Sequence, residues 1–495
     1  MLSSIYSEDI HGDIIKDNEK TLDKIKSFIK EIDPNIDFIE LVQTSTPDTN
    51  NKKQLSLQKN GDLCSGKFCV NEFMQDLMFL RDPFLPVAVF KENKLYTEIN
   101  VLSNYSCIKG MCSSSANRYK LKSILGTETV FTEYPSINQN AGGNLLSLPA
   151  RTFLSINDGE SPTKGSAFMY SSKFNHYKKI VLDGDELMGI GHVDEVIQVI
   201  PDPSSRCGVA LIVASPRLFV EKFGAYKISF LDDNKESSYK NPLHSKIQDL
   251  VYHIGKLFEE KDNIKNAAYI EYYKNLLKLN DDTANYSGIK SAIYANKDTL
   301  TFKMIVAPYV DALEEKIQKN VDRIRNHYVC PAEDHIAKIK FKEKDYLVKD
   351  SIRLSKPDTA LSVFNLPVMW LNGFSLIGTK SSAASIFPNF INSIIIPKYE
   401  FHSGISKLKS INIHILMPDA YIFSTTPRLY TRKIIEDQYL SIQNFIAKKH
   451  SAAGLKIEYK IHLHFIDSSF YGVSRGELHC ASNEIRRFFF QEQTK

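Results

Sequence analysis

The chain has 495 residues and a formal net charge of +4, with 43% hydrophobic and 24% charged residues. That balance is ordinary for a globular protein, and Lys and Arg are interspersed with Asp and Glu, so no basic footprint for nucleic acid stands out. No apolar run approaches the roughly 20 residues a membrane-spanning helix requires, and the stretch Met1–Asp13 lacks the basic-then-apolar pattern of a secretory signal. A cytoplasmic protein is the default expectation, with export by a signal-independent route as the alternative.

Taken in chain order, Leu22, Ile25 and Ile29 fall on one helical face, Pro34 stops that helix, and Ile36–Val42 reads as a strand. Seven cysteines make an odd count, which is no disulfide scaffold. The steps Cys64/Cys69 and Cys107/Cys112 are longer than the usual zinc spacing, and no His neighbours them, so plain thiols are expected rather than a metal site. A further strand is expected at Val209–Ala214. Between about 240 and 330 the period changes to 3.6: Leu243, Ile247, Leu250, Ile254 and Leu257; then Ile270, Tyr273, Leu276 and Leu277; then Leu313, Ile317, Val321 and Ile324. Strands return at Ile394–Ile396, Ile411–Met417 and Ile457–Ile466, with strict alternation at Ile411, Ile413 and Ile415. Alternating helices and strands predict an α/β class. The helical stretch reads as an insertion, giving a frame at 1–239, a helical block at 240–330 and a second part of the frame at 331–495.

Three segments carry candidate chemistry. In Gly189-Ile190-Gly191-His192-Val193-Asp194-Glu195, a His and an Asp two residues apart point the same way if the backbone is extended. That suits a proton carrier beside a carboxylate. In Tyr471–Cys480, ending Gly476-Glu477-Leu478-His479-Cys480, a late cysteine with a His elsewhere in the chain is a candidate nucleophile. Its thiolate needs positive charge nearby, which a cationic substrate can supply. In Glu72–Leu77, Asp76 is one acid in an apolar setting, and a carboxylate there demands a cationic partner.

Set in order, Phe73-Met74-Gln75-Asp76, Gly142-Gly143-Asn144, Gly191–Glu195, Ala214-Ser215-Pro216-Arg217, Phe387–Asn392, and Gly476–Asn483 followed by Arg486-Arg487 resemble the catalytic domain of the protein-arginine deiminases. The resemblance spans roughly 20–234 and 345–490 and is thin over the helical block. It implies the fold of the guanidino-group-modifying enzymes, a five-bladed pseudosymmetric α/β propeller, here with a helical insertion. It also implies that Cys480 attacks the guanidinium carbon, that Asp76 and Asp194 grip the guanidinium nitrogens, and that His192 moves protons. The substrate would be arginine-containing proteins or peptides. Phe73 falls where an aromatic packs along the arginine stem and Gln75 beside the first aspartate as a substrate-binding candidate, while Gly142-Gly143-Asn144 is either part of the pocket wall or a purely structural turn. Arg475 is a weaker candidate for holding substrate backbone, because Ser474 stands at the strict equivalent. His479 would point away from Cys480 in an extended segment and reads as structural.

The chain departs from the resemblance where the vertebrate enzymes bind calcium. Leu77 and Phe79 stand where acids are expected, and neither can ligate a hard cation. Catalysis without calcium or any other cofactor is therefore expected. The rival activities are deimination of agmatine or free arginine, and, from another class, an idle arginine-binding protein. The helical block is a candidate surface for a partner protein, and a Lys/Asn/Ile bias suits a bacterial protein aimed at host targets.

Overall fold

The computed structural model describes the backbone of residues 2–6, 12–34, 36, 40–44, 56–57, 63–65, 68–69, 84–91, 94–101, 130–133, 144–148, 152–156, 177–183, 192–205, 208–229, 246–259, 267–328, 336–341, 344–349, 360–364, 390–403, 408–419, 425–466, 479 and 491–492. Among these, seven small sheets and their helices make a mixed α/β fold.

The first sheet is a parallel pair, β1 (Leu2–Tyr6) and β2 (Glu40–Thr44), joined through helix α1 (Gly12–Ile32). The helix begins before the stretch read from the sequence and ends at Ile32, ahead of Pro34, whose ring cannot continue it. Leu22, Ile25 and Ile29 are buried, as their spacing requires. A short antiparallel sheet follows, β3 (Ser56–Leu57), β4 (Leu63–Ser65) and β5 (Phe68–Cys69), in which Cys64 and Cys69 are register partners.

Four of the sheets share one pairing pattern. The first strand runs antiparallel to the second, and the third runs parallel to the second. They are β6 (Phe84–Lys91), β7 (Lys94–Val101), β8 (Val130–Glu133); β9 (Leu146–Leu148), β10 (Thr152–Ile156), β11 (Lys178–Leu182); β12 (Ile197–Pro201), β13 (Val209–Ser215), with a third strand far downstream; and a last set near the end of the chain. A parallel third strand needs a long crossover, usually a helix.

In the third of these sheets the crossover holds the whole helical block. α2 (Pro216–Phe223) leaves β13 directly, capped by Ser215, whose Oγ accepts from the Leu218 N–H at 3.3 Å. Next come α3 (Lys246–Glu259), α4 (Ala267–Leu277), α5 (Tyr286–Asn296) and α6 (Phe302–His327). Among the positions read as apolar stripes, Leu276 is half-buried, and Leu243 and the Ile247 side chain lie outside the described residues. The rest are buried: Leu250, Ile254 and Leu257; Ile270, Tyr273 and Leu277; Leu313, Ile317, Val321 and Ile324. These side chains join the sheet residues in one continuous core. The α6 helix is tied to the frame by Asn320, whose amide spans the Asp183 backbone on both sides, and by Glu314, which accepts from Ser215 Oγ and the Arg217 N–H at 3.0 Å each.

Beyond the block lie β14 (Ile336–Phe341) and β15 (Lys344–Lys349), then β16 (Ala360–Phe364), which completes the third sheet against β13. Strand β13 is buried at every position, as expected of a centre strand with neighbours on both sides. The last set is β17 (Ile394–Phe401), β18 (Leu408–Pro418) and β19 (Glu458–Ile466), with α7 (Thr425–Ala452) as its crossover. Ile411, Ile413 and Ile415 are buried with half-buried Asn412 and His414 between them, the alternation read from the sequence. Finally, β20 (Gln491–Glu492) pairs with β15. No helix among the described residues is long and apolar enough to cross a membrane.

A buried acid fastens the third sheet to the fourth. Asp202, in the turn between β12 and β13, is fully buried and lies 3.2 Å from Lys449 Nζ and 3.3 Å from His450 Nε2 at the end of α7. Burial alone would raise its pKa. The nearby His450 imidazole, the Ser204 hydrogen bond and the Lys449 ammonium outweigh that and lower it from 3.8 to about 2. Tyr459 on β19 donates to the Pro201 carbonyl at 2.8 Å, closing the same junction.

Candidate functional site

The segment with the first His-X-Asp motif is not a strand. His192 is extended, with φ −125° and ψ 140°, but Val193–Glu195 form one turn of 3₁₀ helix. The alternation argument that put His192 and Asp194 on the same side therefore does not apply. The turn is held from within by the Glu195 N–H donating to the His192 carbonyl at 3.3 Å, and Val193, Asp194 and Glu195 are all buried. It feeds straight into β12, so the rigid sheet fixes where Asp194 sits.

Asp194 meets His479. Its Oδ2 lies 2.6 Å from His479 Nδ1, with Asp194 fully buried and His479 only 5% exposed. A carboxylate can only accept, so Nδ1 carries the proton and donates. The short length marks a charge-assisted bond. The Gln198 amide lies 3.4 Å from the same nitrogen, a weaker approach. On the main chain, the His479 N–H donates to Asn392 Oδ1 at 3.0 Å. Residue 479 is thus pinned by its side chain to one motif and by its backbone to another.

The other motif segments gather around the same turn. Both ends of the buried Asn144 amide engage Ile156 at the end of β10: Nδ2 donates to its carbonyl at 2.8 Å, and Oδ1 accepts from its N–H at 2.7 Å. This draws Asn144 onto β10, which packs against the 193–195 turn. Any substrate contact made by Asn144 must share its amide with these two bonds. The Ala214 N–H donates to the Val196 carbonyl at 2.9 Å, placing the 214–217 segment beside the turn. Five of the six motif segments therefore have described residues at or next to one locus.

Asp76, Cys480, Phe73, Gln75 and Arg475 lie outside the described residues, as do Leu77 and Phe79. His192, Asp194 and Asn144 are placed as above. Two participants were not singled out as site residues by the sequence. His479 reads as structural from the sequence, and the structure shows it in a turn, buried and bonded to Asp194 and Asn392. Asn392 closes the Phe387–Asn392 motif, but only the fold shows it reaching across to residue 479. The adjacency His479-Cys480 was the available signal: a polar residue beside a candidate nucleophile is well placed to orient it.

No family model matches this chain, and no curated protein does. Among solved structures, a candidate peptidyl-arginine deiminase is similar over 98% of this chain and 95% of its own, at 10% identity and a TM-score of 0.39. A C. jejuni agmatine deiminase is similar over 100% of this chain and 92% of its own, at 10% identity and a TM-score of 0.34. A candidate agmatine deiminase is similar over 97% and 90%, at 8% identity and a TM-score of 0.38. At such identities and TM-scores the likeness bears no weight on substrate or mechanism.

Proposed function

We propose that the chain is a protein-arginine deiminase, converting peptidyl-arginine and water to peptidyl-citrulline and ammonia. The observation that carries the proposal is the buried Asp194–His479 bond. It joins the turn bearing His192 and Asp194 to the residue that immediately precedes Cys480 in the chain. Two segments read separately as acid/base and nucleophile, 285 residues apart, meet at 2.6 Å. The ordered motifs of the sequence add the direction of the chemistry.

In this reading Asp76 and Asp194 hold the flat guanidinium by its N–H edges, since a planar five-donor cation is bound best by carboxylates. The Cys480 thiolate, held in register by His479, attacks the guanidinium carbon, forming a C–S bond and a tetrahedral adduct. One C–N bond breaks as His192 gives a proton to the departing ammonia, leaving an S-alkyl thiouronium on Cys480. His192 then takes a proton from water, the hydroxide adds to the same carbon, and the C–S bond breaks to release citrulline and the thiolate as the adduct's hydroxyl proton leaves to solvent, where ammonia becomes ammonium. The side chain loses its positive charge.

Two structural corollaries belong to the proposal. The four sheets of shared pattern and the β1–β2 pair are five blades of an α/β propeller, with the helical block inserted in the blade of β12, β13 and β16. Turnover proceeds without calcium, because the Leu77 and Phe79 side chains offer no oxygen ligand where carboxylates are expected. Citrulline release should be measured on a blocked arginine peptide, agmatine and free arginine. Faster turnover of the small guanidines would move the assignment to a small-substrate deiminase. Arginine-peptide binding without turnover by the wild type would make the chain an arginine-binding protein.

A further inference from the structure

We infer that His479 is a positioning residue that sets both the orientation of the Asp194 carboxylate and the placement of Cys480. The inference rests on the proposed deiminase reading and assigns a role to a residue first read as structural.

The geometry makes the case in three steps. First, Asp194 cannot choose its own orientation. Buried in a one-turn 3₁₀ helix, its Oδ2 is claimed by His479 Nδ1 at 2.6 Å, and one fixed oxygen leaves the carboxylate little freedom to swing. The direction in which Oδ1 presents its lone pairs then follows from the His479 bond. Second, His479 cannot move independently of its backbone. Its N–H is held by Asn392 Oδ1 at 3.0 Å, immediately before β17, so two rigid sheets clamp the residue from opposite ends. Third, Cys480 is the next residue, and consecutive Cα atoms across a trans peptide are about 3.8 Å apart. Holding residue 479 at backbone and side chain restricts where the sulfur-bearing residue can sit. A misplacement of about 1 Å between reacting groups costs on the order of 100-fold in rate. One imidazole thus coordinates the group that holds the guanidinium with the group that attacks it.

A neutral imidazole suits this task. An imidazole can donate from Nδ1 while neutral, and in that form it would orient Asp194 without cancelling the negative charge that the cationic substrate needs. A Lys or Arg here would hold the carboxylate as firmly but would compete with guanidinium for it. This is a physical reason for His, or another neutral donor, at 479.

The test uses the full-length chain. His479→Ala deletes the donor. His479→Asn keeps a neutral N–H donor close to the position of Nδ1. Citrulline formation on a blocked arginine peptide is followed for both, together with thermal stability. The inference expects His479→Ala to lower kcat/KM roughly 10- to 100-fold, the loss of one hydrogen bond to a charged group. It expects both a raised KM, from a misdirected Asp194, and a lowered kcat, from a displaced Cys480. His479→Asn should recover most of both. In a Cys480→Ala background, His479→Ala should weaken arginine-peptide binding, and should add nothing further once Asp194 is also Asn. A merely structural role predicts lower stability for both variants and unchanged kinetic constants in the folded fraction, and that result overturns the inference. So does failure of His479→Asn to restore kinetics when it restores stability. If the wild-type chain itself releases no citrulline from any arginine substrate, the deiminase reading fails, and this role fails with it. An active wild type with indifferent His479 variants sinks the positioning role alone.

Discussion

Asp202 offers a stability prediction whose size can be worked out. The carboxylate is fully buried at the junction of the third and fourth sheets, with its pKa brought from 3.8 to about 2 by His450, Ser204 and Lys449 against the opposing effect of burial. The folded form binds its proton less readily than the unfolded chain does. Its stabilising contribution is therefore complete above pH 3.8 and is lost as pH falls towards 2. At about 1.36 kcal/mol per pKa unit, that fall amounts to roughly 2.5 kcal/mol. Asp202→Asn should forfeit about this much at neutral pH. Removing one partner of a buried pair can cost about 3–5 kcal/mol. Here Lys449 keeps a 25% exposed side chain and can turn to water, which softens the loss. With an unfolding entropy of about 2.1 cal/mol/K per residue, the expected shift in Tm is roughly 2–3 °C. Thermal melts of wild type and Asp202→Asn should be compared from pH 6 down to pH 2.5. The gap should be present at pH 6 and close progressively below pH 4. A gap that stays constant with pH, or none at pH 6, would refute the claim that the ionised carboxylate holds the two sheets together.

Other predictions follow from neighbouring geometry. His414 on β18 stacks on His462 and lies 3.1 Å from His464, both on β19, with Phe28 of α1 packed on His464. Burial, then the like charges of His462, His464 and Lys398, push the His414 pKa from 6.5 to about 4. The folded state takes up fewer protons than the unfolded chain in that window, so stability should fall as pH drops from 6.5 to 4, and His414→Asn should flatten the slope. Equal slopes in the two proteins would contradict this, with Lys24 and Glu31 of α1 and Lys398 of β17 unchanged as controls. Asn144→Ala removes both bonds to Ile156 and strands its buried backbone groups, a cost of roughly 1–3 kcal/mol. Chemical denaturation showing no loss would mean that the turn is held by something else. Ser215→Ala removes the α2 cap and the contact to Glu314, and should cost about 1 kcal/mol by the same assay.

The parts of the fold legible in the sequence are those whose signal is periodic and local. The stripes of α1, α3, α4 and α6 and the alternation in β18 are buried where their spacing says, because a face that repeats every turn, or every second residue, must find a core. Helix α7 carries no comparably clear signal in the sequence, although Ile435, Tyr439, Ile442 and Ile446 line its buried side. Polar and charged residues crowd between them, and Thr425-Thr426-Pro427 reads as much like a turn as a helix start. The 3₁₀ turn at Val193–Glu195 escaped for the opposite reason. Three residues are too few to show a period, and flanking strand-like residues make an extended segment the natural reading. For the candidate site the sequence offers residue types in order, but not the bonds between the described ones. Nothing in the chain between Asp194 and His479, or between Asp202 and Lys449, forecasts that they touch. Those contacts exist because separate sheets deliver them to one place.

The most direct test of the deiminase assignment is citrulline formation from a blocked arginine peptide in the presence of a calcium chelator, comparing wild type with Cys480→Ala. The account predicts sustained turnover by wild type with no added metal, greater than on agmatine or free arginine, and no citrulline from Cys480→Ala despite retained peptide binding. Full turnover by Cys480→Ala would contradict the assignment of the nucleophile, and activity that vanishes with chelator and returns with calcium alone would contradict its metal independence.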